Sequence, residues 1–287
     1  MEKLNMDTVE ASLVIPLFNG QRYISNLLDS ILRQITDRPF EILISDNGSS
    51  DSSLHIVEEF ASNNANCKII DSSSTKGKNF SVNNAVAHSS TEKLIFVDQD
   101  DELSENYIDE MSAALDEFPF VAASMDSERL NSNLLVPPRF APRNQKIGDF
   151  AIKIAAGGTL GIKKGVFEKL DGFDEEFEYS TGDVDFCCRA HDAGYDLQLV
   201  SNAVLYYRFR ESTFDNFHQG MSYGRGNKAI EKRFPGIRGP LRTNSQITSS
   251  IIHDAFRMTL FLRKDRQKVA HNLGKNVGYL LESTGVN

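Results

Sequence analysis

The feature that most constrains this chain is a short apolar run that ends in a cluster of acids, KLIFVDQDDE, at residues 93–102. The apolar part is too short for a helix, and its β-branched and aromatic residues are typical of a buried strand. Carboxylates crowded at the end of such a strand repel one another unless a cation lies beside them. Asp98 and Asp100, one residue apart, can ligate one hard cation, Mg²⁺ or Mn²⁺, which in turn can hold a diphosphate.

A second interpretation of the same acids is that they only begin the next helix. Ser104 is a suitable N-cap, and Glu105 and Asp109 would lie near the positive end of that helix. This stretch alone leaves both interpretations open.

Composition excludes several classes of protein. The 287 residues suit one large α/β domain, or one domain with an appendage. The net charge of −9 argues against non-specific nucleic-acid binding, although not against a nucleotide ligand. Three cysteines, two of them adjacent, form no disulfide framework, so we expect a cytoplasmic location. The sequence shows neither a signal peptide nor an apolar run long enough to span a membrane, so we expect a soluble or peripheral protein.

The first hundred residues alternate between apolar runs and helical patterns. Strands are predicted at residues 11–18, 42–44, 68–70 and 94–97, with amphipathic segments between them. This alternation predicts a parallel sheet with crossover helices. A nucleotide would then bind outside the carboxyl ends of the strands.

The second half is less regular. Residues 127–149 are polar and contain three prolines, which predicts a long loop, either functional or a variable surface segment. The pair Gly157-Gly158 permits a close backbone approach. Residues 214–233 are predicted to be helical with a break near Gly224 to Gly226, and residues 247–282 are predicted to form an amphipathic helix with a basic face.

Taken together, the motifs of this chain resemble those of the family 2 glycosyltransferases, which have the GT-A fold. The resemblance runs from Ser12 to Arg233 and rests on ordered blocks: VIPLFN, ISDNGSSD, IFVDQDD, GGTLGIKKGVFEKLDGFDEEF and GDVDFCCRAHDAGY. It implies an α/β fold with a mostly parallel nucleotide-binding sheet flanked by helices. The implied domain is 1–240, with a nucleotide-binding half of about 1–101 and an acceptor half of about 102–240, followed by a helical tail, 241–287.

The resemblance also implies a nucleotide site. The first block places Pro16, Leu17 and Asn19 at the start of that site, and Asp46 of the second block would bind the nucleobase. A carboxylate accepts the imide N–H of uracil or thymine well, although DNGSSD can equally be a helix-capping turn. Asn83 is retained as a further contact, while the arginine that usually precedes it is replaced by Val82.

The implied metal site and catalytic base come from the later blocks. Asp98 would lie near the ribose or the metal, and Asp100 would ligate a divalent cation, Mn²⁺ or Mg²⁺, that bridges the diphosphate. Asp183 would be the general base, with Asp185 a weaker candidate on another side of the helix. The glutamate that usually precedes the base is replaced by Gly182, and Asp183 could instead cap the helix.

Positive charge near the phosphates could come from a bound metal or from arginine side chains. Many relatives place a metal-binding histidine after the strand near residue 205, and here the sequence reads LYYRFRES. Arg208 and Arg210 could contact phosphate directly, because guanidinium pairs well with it. The third metal ligand stays open, and His218 is interpreted as a helix-surface residue.

The predicted function is therefore metal-dependent, inverting transfer of a sugar from a nucleotide diphosphate sugar, with UDP favoured, to a saccharide or lipid-linked acceptor hydroxyl. Surface polysaccharide or glycolipid synthesis is the expected role. The alternatives are a sugar nucleotidyltransferase, which normally has a glycine-rich basic loop after its first strand, and a degenerate domain that only binds. The basic tail could rest on the inner face of an anionic membrane, or pack on the catalytic domain or at a homodimer interface.

Overall fold

The computed structural model describes residues 9–131, 152–177, 180–237, 243–260 and 266–284. Within these ranges the strands are β1 (Ala11–Leu17), β2 (Phe40–Asp46), β3 (Cys67–Asp71), β4 (Lys93–Phe96), β5 (Glu102–Leu103), β6 (Phe120–Asp126), β7 (Leu160–Lys163) and β8 (Gln198–Tyr206). They form one sheet with the order β3-β2-β1-β4-β7-β6-β8-β5.

Helices cover the sheet and extend beyond it. In the described residues they are α1 (Ile24–Leu32), α2 (Ser53–Asn63), α3 (Lys78–Ala87), α4 (Tyr107–Glu117), α5 (Lys164–Lys169), α6 (Gly182–Asp192), α7 (Thr213–Arg233), α8 (Asn244–Leu260) and α9 (Arg266–Thr284). None of these helices combines the length and the apolar character that crossing a membrane requires.

The first four strands have the predicted parallel arrangement. β1 runs parallel to both β2 and β4, and β2 runs parallel to β3. The carboxyl ends of these strands therefore meet at one edge of the sheet, where ligands bind in folds of this kind. β7 is antiparallel to β4 and β6, which makes the whole sheet mixed. The predicted α/β fold with flanking helices and C-terminal helices is confirmed.

The core lies on both faces of the sheet. Val14 and Leu43 belong to one buried cluster, whereas Leu13, Ile15 and Ile42 belong to the other. Side chains that alternate along a strand point to opposite faces, so a strand covered on both sides needs an unbroken apolar run. This double coverage explains why the early strands lack polar alternation.

Two predicted helix features are wrong. α7 is continuous through Gly224 and Gly226 instead of breaking there, because both glycines are buried, and Gly224 packs directly against α9. The tail is two helices, α8 and α9, where the sequence predicted one. The division of the chain at residue 240 stays a prediction, since residues 238–242 lie outside the described residues.

The helix start proposed at Ser104 is also wrong. α4 begins at Tyr107 and its preceding residue is Asn106. The Ser104 hydroxyl instead accepts the backbone N–H of Val204 at 3.1 Å, beside the short pairing of β5 with β8. Most of the predicted 127–149 loop, from residue 132 onward, lies outside the described residues.

Candidate active site

The acidic cluster lies where the sequence placed it, directly after β4. Gln99, between Asp98 and Asp100, holds this turn against the end of β1. Its side-chain amide accepts the backbone N–H of Phe18 at 2.8 Å and donates to the Phe18 carbonyl at 2.9 Å. This two-point contact fixes the turn that carries the two aspartates.

The carboxylates of this turn are not fully compensated. Burial, together with the charge of Asp98, raises the pKa of Asp100, although Arg210 and Lys78 oppose the effect. Asp101 is 2% exposed, and burial with the charges of Asp100 and Asp98 raises its pKa well above the usual range. Such a cluster is stabilised in its charged form by a cation.

The register of β4 against β7 brings a third carboxylate to this edge. Ile95 pairs with Gly161, so continuing the antiparallel ladder leads from Asp98 to Gly158. A Cβ added at Gly158 would lie 3.0 Å from the Asp98 Cγ, and one added at Gly157 would lie 3.4 Å from the Asp183 Cβ. The absence of side chains at these two glycines lets the Asp98 and Asp183 sides of the site approach each other.

Asp183 lies in the first turn of α6. Its Oδ2 accepts the backbone N–H of Gly157 at 2.9 Å, and its Oδ1 accepts the N–H of Val184 at 2.8 Å. Burial raises its pKa, while the charge of Lys78 and the two backbone hydrogen bonds counteract this shift. The carboxylate is thus oriented by the backbone and is more basic than a typical aspartate.

Asp185, the weaker candidate for the base, is engaged in ion pairs that hold helices together. It is fully buried, and its oxygens lie 2.8 Å from Arg189 Nε and 3.0 Å from Arg233 Nη1. Arg189 also donates to the carbonyl oxygens of Leu170 and Gly172. Asp185 therefore fixes α6 against α7 and the turn after α5.

Lys78, which the sequence did not single out, lies in the centre of the acidic site. Its Nζ is 2.5 Å from Asp98 Oδ1. Desolvation lowers the pKa of Lys78, but the charges of Asp98, Asp183 and Asp100 outweigh it and the net direction is upward. A lysine in a polar loop carries no sequence signal that distinguishes it from an ordinary surface charge.

The ends of β1 and β2 meet as predicted, since Leu17 pairs with Asp46. Both Asp46 oxygens accept backbone N–H groups of the following turn, at 3.2 Å from Gly48 N and 3.2–3.3 Å from Ser49 N. Asn19, with a positive φ of 49°, accepts the N–H of Ser50 at 2.8 Å. The turn-capping role of Asp46 is therefore present, and its contact with a nucleobase stays a prediction.

Asn83 lies on α3 and contacts the turn after α5. Its side-chain amide donates to the Phe173 carbonyl and to Glu175, each at 2.8 Å, and its oxygen accepts the Phe173 N–H at 2.9 Å. These bonds join the two halves of the domain. A contact between Asn83 and a nucleotide stays a prediction.

Arg208 and Arg210 follow β8 and lie in different environments. Arg208 donates to the Asp100 carbonyl at 3.0 Å and to Glu102 at 2.9 Å, and its guanidinium lies 4.5 Å from the centroid of the Tyr23 ring. Arg210 is exposed, and no hydrogen bond or ion pair engages its guanidinium within the described part of the chain. Of the two, Arg210 is the better placed to meet an incoming anion.

A pocket of about 360 Å³ opens beside Asp100. Its walls come from the start of α1, the acidic turn and the segment after β8: Arg22, Tyr23, Asp100, Arg208, Phe209, Arg210, Glu211, Ser212 and Asp215. The three arginines share this wall with three acids, and Arg22 and Arg208 pair with Glu211 and Glu102, so Arg210 is the arginine best placed to contact an anionic ligand.

The donor set fits a hard divalent cation. Asp98 and Asp100 supply oxygen ligands on one turn, and Mg²⁺ in proteins is commonly held by one or two carboxylates together with substrate phosphates. Within the residues that the structure describes, no three His, Cys, Asp or Glu side chains converge to form a complete protein site. The remaining ligands would therefore have to come from the substrate and water.

The fold is that of GT-A type glycosyltransferases. Mannosyltransferase PcManGT from Pyrobaculum calidifontis, solved with GDP-Man and Mn²⁺, matches 96% of this chain and 86% of that chain with a TM-score of 0.65 at 16% identity. A structure of Staphylococcus aureus TarS in complex with UDP-GlcNAc matches 96% of this chain and 92% of that chain, with a TM-score of 0.57 at 18% identity.

Sequence comparison gives the family. Residues 12–171, more than half of the chain, match the family described as Glycosyl transferase family 2. The chain belongs to this family. It is also 24% identical over 207 residues to Glycosyltransferase AglE of Haloferax volcanii, an alignment that covers 67% of this chain and 65% of that protein. The chain thus spans less than two thirds of that relative's length.

Proposed function

We propose that this protein is a metal-dependent, inverting glycosyltransferase that moves a sugar from a nucleotide diphosphate sugar, with UDP favoured, to an acceptor hydroxyl. One observation carries the proposal: Asp98 and Asp100 at the end of β4 share a small site with a backbone-oriented third carboxylate, Asp183. Two acids for a cation and one for a proton are what such a transfer requires.

Asp183 acts as the general base in this proposal. Its carboxylate accepts the proton of the acceptor hydroxyl as that oxygen bonds to the anomeric carbon, while the bond from that carbon to the diphosphate oxygen breaks. A single displacement inverts the anomeric configuration. The hydrogen bonds from Gly157 and Val184 hold the carboxylate in place without protonating it.

Charge on the departing diphosphate needs compensation. A Mn²⁺ or Mg²⁺ held by Asp98 and Asp100 would supply Lewis-acid neutralisation of that charge. Arg210 is placed to contact a phosphate from the pocket side, whereas Arg208 holds the acidic turn through the Asp100 carbonyl and Glu102. The turn that follows β2, with Asp46 and Asn19, is the proposed place of the nucleobase.

The proposal also covers the donor nucleotide, the acceptor and the location of the reaction in the cell. UDP is favoured because a carboxylate such as Asp46 accepts the imide N–H of uracil well; TarS was solved with UDP-GlcNAc and PcManGT with GDP-Man, so GDP is the second candidate. TarS is described as a poly(ribitol-phosphate) β-N-acetylglucosaminyltransferase, which supports a saccharide, polymeric or lipid-linked acceptor in surface polysaccharide or glycolipid synthesis. We place the reaction in the cytoplasm, with α8, on which Ile252 is exposed, as the surface nearest a membrane.

Calorimetric binding of UDP, dTDP, GDP and CMP, each with and without Mn²⁺, tests the donor site. We expect one diphosphate to bind in a manganese-dependent way, and Asp100→Ala to abolish that dependence. Asp29→Ala, an exposed aspartate on α1, is the matched control and should bind like the wild type.

The outcomes separate the candidate functions. Binding of a diphosphate with sugar transfer supports the proposal. Binding without transfer to any acceptor or to water would indicate a degenerate domain that only binds. No binding of any of the four nucleotides to the folded protein would overturn the proposal.

A further inference from the structure

The ammonium group of Lys78 contacts the first carboxylate of the acidic turn. Lys78 begins α3, and its Nζ contacts Asp98 Oδ1 at 2.5 Å. Its charge also acts on Asp100 and Asp183, so it reaches both sides of the site. The side chain is half-exposed, at 54%, which leaves the ammonium accessible to a ligand.

On α3, Lys78 lies one turn before Val82, the position at which the resembling motif has an arginine. Val82, where the resembling motif has an arginine, is 4% exposed and packs in the core. Residues four apart lie on the same face of a helix, one turn from each other. Lys78 therefore places a positive charge on the face of α3 that Val82 leaves apolar, one turn nearer to the strand ends.

The space around this helix start is open to a ligand. A Cβ built at Gly77, which precedes α3, meets no atom within 4 Å. Among the described residues no side chain caps the N-terminus of α3. The partial positive charge of this terminus adds to that of the ammonium group and favours an anion in front of both.

We propose that Lys78 is a ligand of the donor diphosphate and takes over the part of the missing arginine. In the free protein the Lys78 ammonium group pairs with Asp98. When the donor binds, the ammonium group pairs with a phosphate oxygen instead, and Asp98 is then free to contact the divalent cation or the ribose. This inference rests on the proposed function, since it requires a nucleotide diphosphate at this edge of the sheet.

The test compares a diphosphate with its nucleoside. Calorimetry would measure the diphosphate that binds the wild-type protein, and the corresponding nucleoside, on Lys78→Met, Lys78→Arg and the control Lys76→Met. Lys76 is exposed on the loop that precedes α3. We expect Lys78→Met to weaken diphosphate binding about 10- to 100-fold, as loss of a charge-assisted contact does, and to leave nucleoside binding within about twofold. Lys78→Arg should retain most of the affinity, and Lys76→Met all of it.

Salt dependence gives a second readout that a merely structural role would not change. Diphosphate affinity should fall less steeply with added salt in Lys78→Met than in the wild type, because one ionic contact is missing. Thermal unfolding of each variant checks that the fold is intact.

Two failures are distinguishable. If the wild type binds a diphosphate and Lys78→Met binds it equally tightly, the assignment of Lys78 is wrong and the proposed function stands. If the folded wild type binds no diphosphate, both are wrong.

Discussion

Asp183 combines features that pull its pKa in opposite directions. Burial raises the pKa, whereas the charge of Lys78 and two backbone hydrogen bonds lower it, and burial dominates. A base with a raised pKa holds a transferred proton better than a typical aspartate. This balance suits general-base catalysis.

Replacing Asp183 by Asn should lower the transfer rate about 100- to 10,000-fold, because the acceptor proton then has no carboxylate to receive it. Donor affinity should stay within about twofold. Stability should be unchanged or higher, since a buried charge is removed. Steady-state kinetics, nucleotide calorimetry and thermal unfolding measure the three effects. Asp192→Asn, an exposed aspartate on the same helix, is the control.

The pH profile tests the same residue independently. Activity should fall as the pH decreases through the raised pKa of Asp183, because protonation removes the base, so the acidic limb lies above the ordinary value of 3.8. Wild-type activity in Asp183→Asn would show that another group is the base.

The sequence singled out the acidic residues of the candidate site more readily than the groups around them. Asp98, Asp100 and Asp183 occur in motifs with fixed spacing, so their types and order indicated a site. Lys78 lies beside them only because β4 ends next to the start of α3, a juxtaposition that no local pattern encodes. Gln99 likewise acts through the backbone of Phe18, which is distant in sequence.

At the scale of elements, the contact between α7 and α9 depends on glycine. Gly220 and Gly224 on α7 face Gly274 and Gly278 on α9, and a Cβ at any of them would lie 2.0–2.1 Å from a backbone oxygen of the other helix. Tyr223, adjacent to these glycines, lies near the site: burial raises its pKa, and the charges of Asp183 and Asp98 add to the shift. The helix pair thus supports one wall of the site.

Gly224→Ala should therefore destabilise the protein by about 1–3 kcal/mol, because the added methyl group forces two backbones apart. Urea unfolding measures this cost, and limited proteolysis should cut α8 or α9 earlier than in the wild type. Gly165→Ala is the matched control: its Cβ would meet no atom within 4 Å, and alanine favours a helix. Equal stability of the two variants would contradict close packing of α7 on α9.

These glycines also show why one prediction about the elements was wrong. From sequence alone, a glycine in a helical pattern indicates a break. In the structure, these glycines let the backbone of α7 pack directly against α9. β5 was missed for a similar reason: two residues carry no periodicity, and Glu102 and Leu103 form a strand only because β8 lies beside them.

At the scale of the whole molecule, the apolar runs of the sequence predicted a sheet that is buried on both faces. They did not predict the polar network that lies within it. Glu41 is 1% exposed and accepts hydrogen bonds from Lys68 and Ser12, each at 2.7 Å, and from the Ser90 backbone at 2.8 Å. These groups belong to β1, β2, β3 and the segment before β4. One carboxylate thus links three neighbouring strands and the segment that leads into a fourth.

This network predicts a specific loss of global stability in acid. Burial alone would raise the pKa of Glu41, but the hydrogen bonds from Lys68, Ser12 and Ser90 outweigh it and lower the pKa below the ordinary value of 4.5. Because the folded-state pKa is the lower one, the stabilisation is present above 4.5 and is lost as the pH falls through the folded value.

Glu41→Gln should remove that pH-dependent contribution and cost about 2–3 kcal/mol at neutral pH, the scale of hydrogen bonds to a charged group. Urea unfolding at a series of pH values measures both effects. Glu58→Gln, an exposed glutamate on α2, should leave the wild-type profile unchanged. An identical acid dependence in Glu41→Gln and the wild type would show that other carboxylates carry the linkage.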